Sequence, residues 1–171
     1  AALRYDQDAL YVAVRVHDNA VMNFTRAEPI YIYEGDGIEL FVDGRAGGKL
    51  GDPQFLGDVY HLKLAPSTDA NLPPFHHLSK PRGREIPGLA YASKVLPDGY
   101  TFEVKIPWAA FPAFKPVPGA MMGFAMHVND QDDKGFGEVA GAKSKVTMMW
   151  GGEKGLSSDP SKFGKLILGG K

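Results

Sequence analysis

The sequence predicts an all-β protein, an antiparallel β-sandwich of jelly-roll type folded as one domain. Three observations carry this. Apolar and polar side chains alternate through seven or eight short runs, no stretch keeps a helical period over three turns, and 21 Gly and 13 Pro punctuate the runs. At 171 residues the chain is long enough to enclose one sizeable core. No internal repeat or low-complexity tract divides it, so residues 1–171 read as a single domain.

The elements follow in order. After a turn at Asp6-Gln7-Asp8, Leu10 to Asp18 alternates strictly, with Leu10, Val12, Val14 and Val16 on one side and Tyr11, Ala13, Arg15 and His17 on the other. Ile38 to Asp43 sets Ile38, Leu40 and Val42 against Glu39 and Phe41. Val59 to Leu64 turns Tyr60, Leu62 and Leu64 inward and leaves Val59, His61 and Lys63 outward. Residues 65–90 carry Pro66, Pro73, Pro74, Pro81 and Pro87 without an apolar period and are expected to form a long surface loop. Tyr91 to Leu96 and Tyr100 to Ile106 flank Pro97-Asp98-Gly99, a strong hairpin signal. Pro107 stops that ladder, and Trp108-Ala109-Ala110-Phe111 holds at most one helical turn. Met121 to Asn129, Lys145 to Trp150 and Lys165 to Leu168 complete the strands.

Composition excludes several classes of function. A net charge of −1, from 19 basic and 20 acidic residues, offers no cationic surface for nucleic acid, and no apolar run approaches a membrane span. With no cysteine there is no disulfide, zinc-thiolate site or thiol nucleophile. No nucleophile elbow or phosphate-cradling glycine loop is present, and Glu39 and Glu103 are the strand-borne glutamates, so no enzyme is expected. The chain opens on Ala1 rather than Met and reads as a mature product or an excerpt of a longer polypeptide.

Four segments, in order and spacing, carry a resemblance. These are Leu10 to Asp18, Glu34-Gly35-Asp36-Gly37-Ile38-Glu39-Leu40-Phe41-Val42-Asp43, Asp98 to Trp108, and Met122 to Asp130 with its sequel Ser158-Asp159-Pro160-Ser161-Lys162-Phe163-Gly164. Together they resemble carbohydrate-binding module family 9. The family usually begins with a further strand around an Asp-Gly pair, which this chain lacks. The resemblance implies a non-catalytic β-sandwich that binds polysaccharide chain ends, carries structural calcium and is secreted or periplasmic, appended to a larger protein. Its two clamping aromatics map to Tyr33 and to the neighbourhood of Ser157, which cannot stack on a sugar; its polar positions map to Glu39, His61 and Lys63. Glu39 keeps the family type, whereas His61 and Lys63 replace Arg and Asn. The alternative is a structural or protein-docking sandwich of the same fold that has lost sugar binding.

Sugar recognition needs an aromatic platform for the C–H face and charged or amide groups for vicinal hydroxyls. Tyr31, Tyr33, Glu39, His61, Lys63, His127 and Asn129 supply those types if their strands share one sheet face. Trp108 reads as a core plug. Trp150 is the candidate to replace the missing platform, if the Gly151-Gly152 turn folds it over. For calcium, Asp130, Asp132 and Asp133 concentrate hard oxygen ligands in one turn. No EF-hand is formed, and Asp18, Asp36, Asp43 and Asp58 are strand-end carboxylates able to complete a cage. The histidines match no metal spacing and read as surface residues, with Met126 and Met148 alternating into the core.

Overall fold

The computed structural model describes residues 1–22, 33, 35–45, 51–67, 74–132 and 145–170. Ten strands run through them: β1 (Ala2–Tyr5), β2 (Ala9–His17), β3 (Gly37–Asp43), β4 (Val59–Ala65), β5 (Phe75–Lys80), β6 (Ala90–Leu96), β7 (Gly99–Pro107), β8 (Met121–Gln131), β9 (Lys145–Trp150) and β10 (Gly164–Ile167). One sheet has the order β1-β2-β7-β6. The other runs β10-β8-β3-β4-β5, with β9 also on β8, and every pairing is antiparallel. The long strand β8 gives one edge to two partners in turn, Met121 to Phe124 facing β10 and Met126 to Gln131 facing β9.

The alternation of the sequence becomes the core. Leu10, Val12, Val14 and Val16 of β2 and Tyr100, Phe102, Val104 and Ile106 of β7 line one wall. Ile38, Leu40 and Val42, Tyr60, Leu62 and Leu64, and Met122, Phe124, Met126 and Val128 line the other, all in one buried cluster. Each large side chain contributes about 1.5–3 kcal/mol on removal from water. Trp108 is the expected plug; it is buried, and its indole N–H donates to the Asp6 carbonyl at 2.9 Å. Gly99, at φ 131°, closes the β6–β7 hairpin where a Cβ would lie 2.1 Å from the Val16 carbonyl oxygen. The Asp98 carbonyl there accepts the Asp18 amide at 3.1 Å, tying the end of β2 to the hairpin.

Three expectations are corrected, and one strand is added that the sequence reading did not name. Residues 65–90 are not all loop, because β5 pairs with β4 along Leu62↔Leu78, Lys63↔His77 and Leu64↔His76. An edge strand needs only main-chain bonds and one buried anchor, here Leu78, so its apolar period is faint. β1 completes the edge beside β2, a four-residue strand with no fully buried side chain to announce it. Met148 lies on the core side of β9 but is 51% exposed, beyond the reach of the smaller sheet. His61 and Lys63 do face outward from the core, yet they are buried at 3% and 6% exposure.

The outer face of the larger sheet carries a second apolar cluster of Phe41, Val59 and Ala125, capped by Leu156 and Phe163 from the segment before β10, with Phe55 packed alongside. The outer face is therefore divided into an apolar half under this cap and a polar half beside it.

Candidate functional site

The polar half is built on strand register. Glu39, at the middle of β3, stands directly between Lys63 of β4 and His127 of β8, and Phe41 pairs likewise with His61. Side chains of paired residues share a face, so the period-two alternation that fills the core also gathers these groups. The Glu39 carboxylate is held at both oxygens: Asn129 Nδ2 donates to Oε1 at 2.8 Å and His61 Nε2 meets Oε2 at 2.5 Å. Thr147 of β9 donates its hydroxyl to Asn129 Oδ1 at 3.1 Å, which fixes the amide so that its nitrogen faces Glu39. The His61 ring stacks on Phe41 at 4.1 Å and 23°, and His127 meets Phe41 edge-on at 4.9 Å. Lys63 Nζ sits 4.1 Å from the centre of the Tyr33 ring, a cation–π contact.

The electrostatics are those of an ionised acid among donors. Burial alone would raise the Glu39 carboxyl. The hydrogen bond and charge of His61, the Asn129 amide and Lys63 outweigh it and hold the group at about 2. Burial pushes His61 below its ordinary value against the pull of Glu39, and Lys63 is lowered by burial in the same way. The half-buried members, Tyr33 and His127, border a pre-ordered carboxylate, ammonium and amide. Those are the groups that bond the hydroxyls of a polar ligand while a ring packs on its C–H face.

A second constellation lies on another part of the fold. Asp18 after β2, Asp36 before β3 and Asp130 in β8 bring carboxylate oxygens within 4.8 Å of one another. Asp36 is 1% exposed; its Oδ1 accepts the Gln131 amide at 2.7 Å and its Oδ2 the Met22 amide. Asp18 Oδ2 is buried with no hydrogen-bond partner. Burial, with Asp18 and Asp130 adding to it against the two backbone bonds, pushes Asp36 up to about 7; burial and Asp18 raise Asp130 as well.

The expected residues sort as follows. Tyr33, Glu39, His61, Lys63, His127 and Asn129 come together on one face. Trp150 does not join them. It pairs with Met126, whose side chain is in the core, so the indole lies on the opposite face of the sheet, 50% exposed and edge-on to Phe124 at 5.6 Å. Of the aspartate turn, Asp130 alone enters the carboxylate group; Asp132 is exposed and accepts from Asn19 at 3.5 Å. Tyr31 and Asp133 lie outside the described residues. Asp43 is bound by Arg45, at 2.9 Å to Oδ1 and 2.6 Å to Oδ2, and takes no part. Ser157 is exposed beside the buried Leu156. Sequence reasoning missed Thr147 and the ring stack of Phe41. The signals were their in-register places opposite Asn129 and His61.

The model of the family described as "Carbohydrate family 9 binding domain-like" matches residues 1–171. The chain is 31% identical over 167 residues to endo-1,4-beta-xylanase A of Thermotoga neapolitana and 29% identical over 170 residues to that of Thermotoga maritima. In each case the match takes in 96% of this chain and 13% of the relative, so the chain spans about an eighth of their length. Among solved structures, a carbohydrate binding module family 9 from Caldicellulosiruptor kristjanssonii in complex with cellotriose superposes with a TM-score of 0.74 at 26% identity. That match covers 99% of this chain and 73% of the other. The module in complex with glucose superposes with a TM-score of 0.73 at 27% identity, covering 99% and 75%.

Proposed function

We propose that this chain, which belongs to the family 9 carbohydrate-binding domains, is a non-catalytic module that binds oligo- or polysaccharide and holds an attached domain on its polymer. One observation carries the reading: Glu39, fixed between His61 and Asn129, beside Lys63 under the Tyr33 ring. Likeness to modules crystallised with cellotriose and with glucose supports it. In this reading Tyr33 offers the stacking ring, and Glu39, Lys63, His127 and Asn129 offer hydrogen bonds, with His61 holding Glu39. Attachment raises the local concentration of polymer around the partner domain. The xylanase relatives fit a secreted or periplasmic protein with an appended catalytic domain.

We also propose that Asp18, Asp36 and Asp130 hold a structural Ca2+. The donor set fits: three hard carboxylates converge from the ends of three strands, one oxygen is orphaned, and burial, with Asp18 and Asp130 close by, raises the Asp36 carboxyl. When bound, the ion would supply charge neutralisation between the two sheets.

Isothermal titration with cellotriose and with xylo-oligosaccharides, in calcium and in EDTA, tests both readings. Saturable heat is expected, with Kd on the order of micromolar to millimolar, because a partly solvated sugar offers one stacking face and few desolvated bonds. Tyr33→Ala and Glu39→Gln should abolish it. No heat from folded protein in either buffer would overturn the saccharide reading in favour of a protein-docking sandwich.

A further inference from the structure

We propose that the larger sheet carries a second saccharide subsite on its outer face, a pocket over Gly123 that takes one acidic sugar unit, a hexuronate. The Phe163 cap separates it from the Glu39 face, and the two sites can fail independently.

Strand register makes the pocket. Lys165 of β10, Gly123 of β8 and Asp43 of β3 stand in one row across the sheet. Asp43 and Gly123 are each two residues from the paired Phe41 and Ala125, so this row shares their outer face. Gly123 puts no side chain between its neighbours; a Cβ there would lie 2.9 Å from the Asp43 Cβ and 3.4 Å from that of Phe163. The space left open belongs to a cavity of about 540 Å³. That is within the roughly 300–1,000 Å³ of small-ligand sites. Phe163 and Pro160, from the segment before β10, and Phe114, from the segment after β7, give it buried apolar walls.

Charge selects the ligand. The deep guanidinium of Arg45, 8% exposed, is spent on both Asp43 oxygens and on the carbonyls of Asp52 and Gln54, with the Asp52 carboxylate 3.5 Å from Nη1. It forms a fixed wall, not a free cation. Lys115 and Lys165 also line the cavity; both are exposed, and neither makes an ion pair among the described residues. At the rim the Ser161 hydroxyl donates to Asp159, whose other oxygen lies 3.8 Å from Lys162. The pocket therefore offers two uncommitted ammonium groups in a chain whose net charge is −1, a local reversal of sign that attracts an anion. A bare inorganic anion would leave Phe163, Phe114 and Pro160 uncovered. A pyranose lays its C–H face on such walls and gives a hydroxyl to Ser161 Oγ, which can still accept. Its carboxylate supplies the charge-assisted bonds to the lysines.

Amide chemical-shift mapping of the whole chain tests this, with D-glucuronate as probe and D-glucose and sodium sulfate as controls. Glucuronate should shift the Gly123 and Gly164 amides saturably, with Kd on the order of millimolar, and glucose at equal concentration should not. Replacing both exposed lysines, Lys115→Gln with Lys165→Gln, should weaken glucuronate about tenfold, within the range two solvent-exposed ion pairs supply. Cellotriose affinity of that variant should match the wild type. Glucose shifts equal to those of glucuronate would overturn the acidic class. Sulfate shifts of equal size would overturn the sugar and leave an anion patch. Unmoved Gly123 and Gly164 amides, or glucuronate affinity indifferent to the lysines, would overturn the pocket. Failure of cellotriose to bind overturns the reading of the Glu39 face alone, because the glucuronate shifts are read at Gly123.

Discussion

Two buried carboxylates stand three residues apart on one strand and its approach, and they ionise in opposite senses. Glu39, 6% exposed, is held down at about 2; Asp36, 1% exposed, is pushed up to about 7. Burial penalises both charges. The difference lies in company. Glu39 meets an imidazole, an amide and a lysine, whereas Asp36 meets two backbone amides and two further aspartates. One site is complete as it stands; the other is the one we propose to hold a cation. Depth alone therefore says little about charge, and the partner list decides it.

The largest effect that bears on this contrast should come from Glu39→Ala. It strands His61 Nε2, the Asn129 amide and Lys63 in a buried setting, and is expected to cost about 3–5 kcal/mol in urea denaturation. A cost below about 1 kcal/mol, typical of surface pairs, would show that Glu39 is no clamp. Calcium probes the other carboxylate. At a hundredfold excess over its Kd the ion should stabilise the wild type by about 3 kcal/mol, and Asp18→Asn should lose that gain. An unchanged melting temperature on adding calcium would remove the metal and with it half of the contrast.

Acidification comes next. The folded-state value of His61 is lowered, so the unfolded chain binds its proton first. The stability this ring contributes is present above 6.5 and declines as pH falls below it, by at most about 1.4 kcal/mol per pH unit. The stability gap between wild type and His61→Gln should narrow accordingly in denaturation series at successive pH values. Smallest is Thr147→Val, which removes one hydrogen bond to Asn129 and should cost about 1 kcal/mol, read in the same denaturation assay. If it also lowers cellotriose affinity without altering the Kd for calcium, the two sites are separable.

The core and its strands were legible because burial on one face forces a period of two, and Leu10 to Val16, Ile38 to Val42 and Tyr100 to Ile106 obey it. The same period put Glu39, His61 and Lys63 on a common outer face. Their burial was not legible. Nor was the apolar cap beside them, in which Leu156 and Phe163 fold back onto Phe41 from a distant segment. Trp150 was misplaced for a related reason. Its strand position sets its face through pairing with Met126, and the glycine turn after it could not reverse that. The carboxylate group draws on Asp18, Asp36 and Asp130, brought together by the ends of three strands rather than by spacing within one loop.

On β8, Asn129 and Asp130 are neighbours in the chain, and each serves a different site. Because successive strand residues point to opposite faces, one residue deleted ahead of them would carry Asp130 to the place of Asn129 and Gln131 to the place of Asp130. An acid would then face Glu39, and an amide would face the aspartates. A single substitution alters one site at a time, but length changes in this strand strike both at once. Descendants of this chain should therefore drift in side-chain identity around the ligand face while the spacing of β8 stays unaltered.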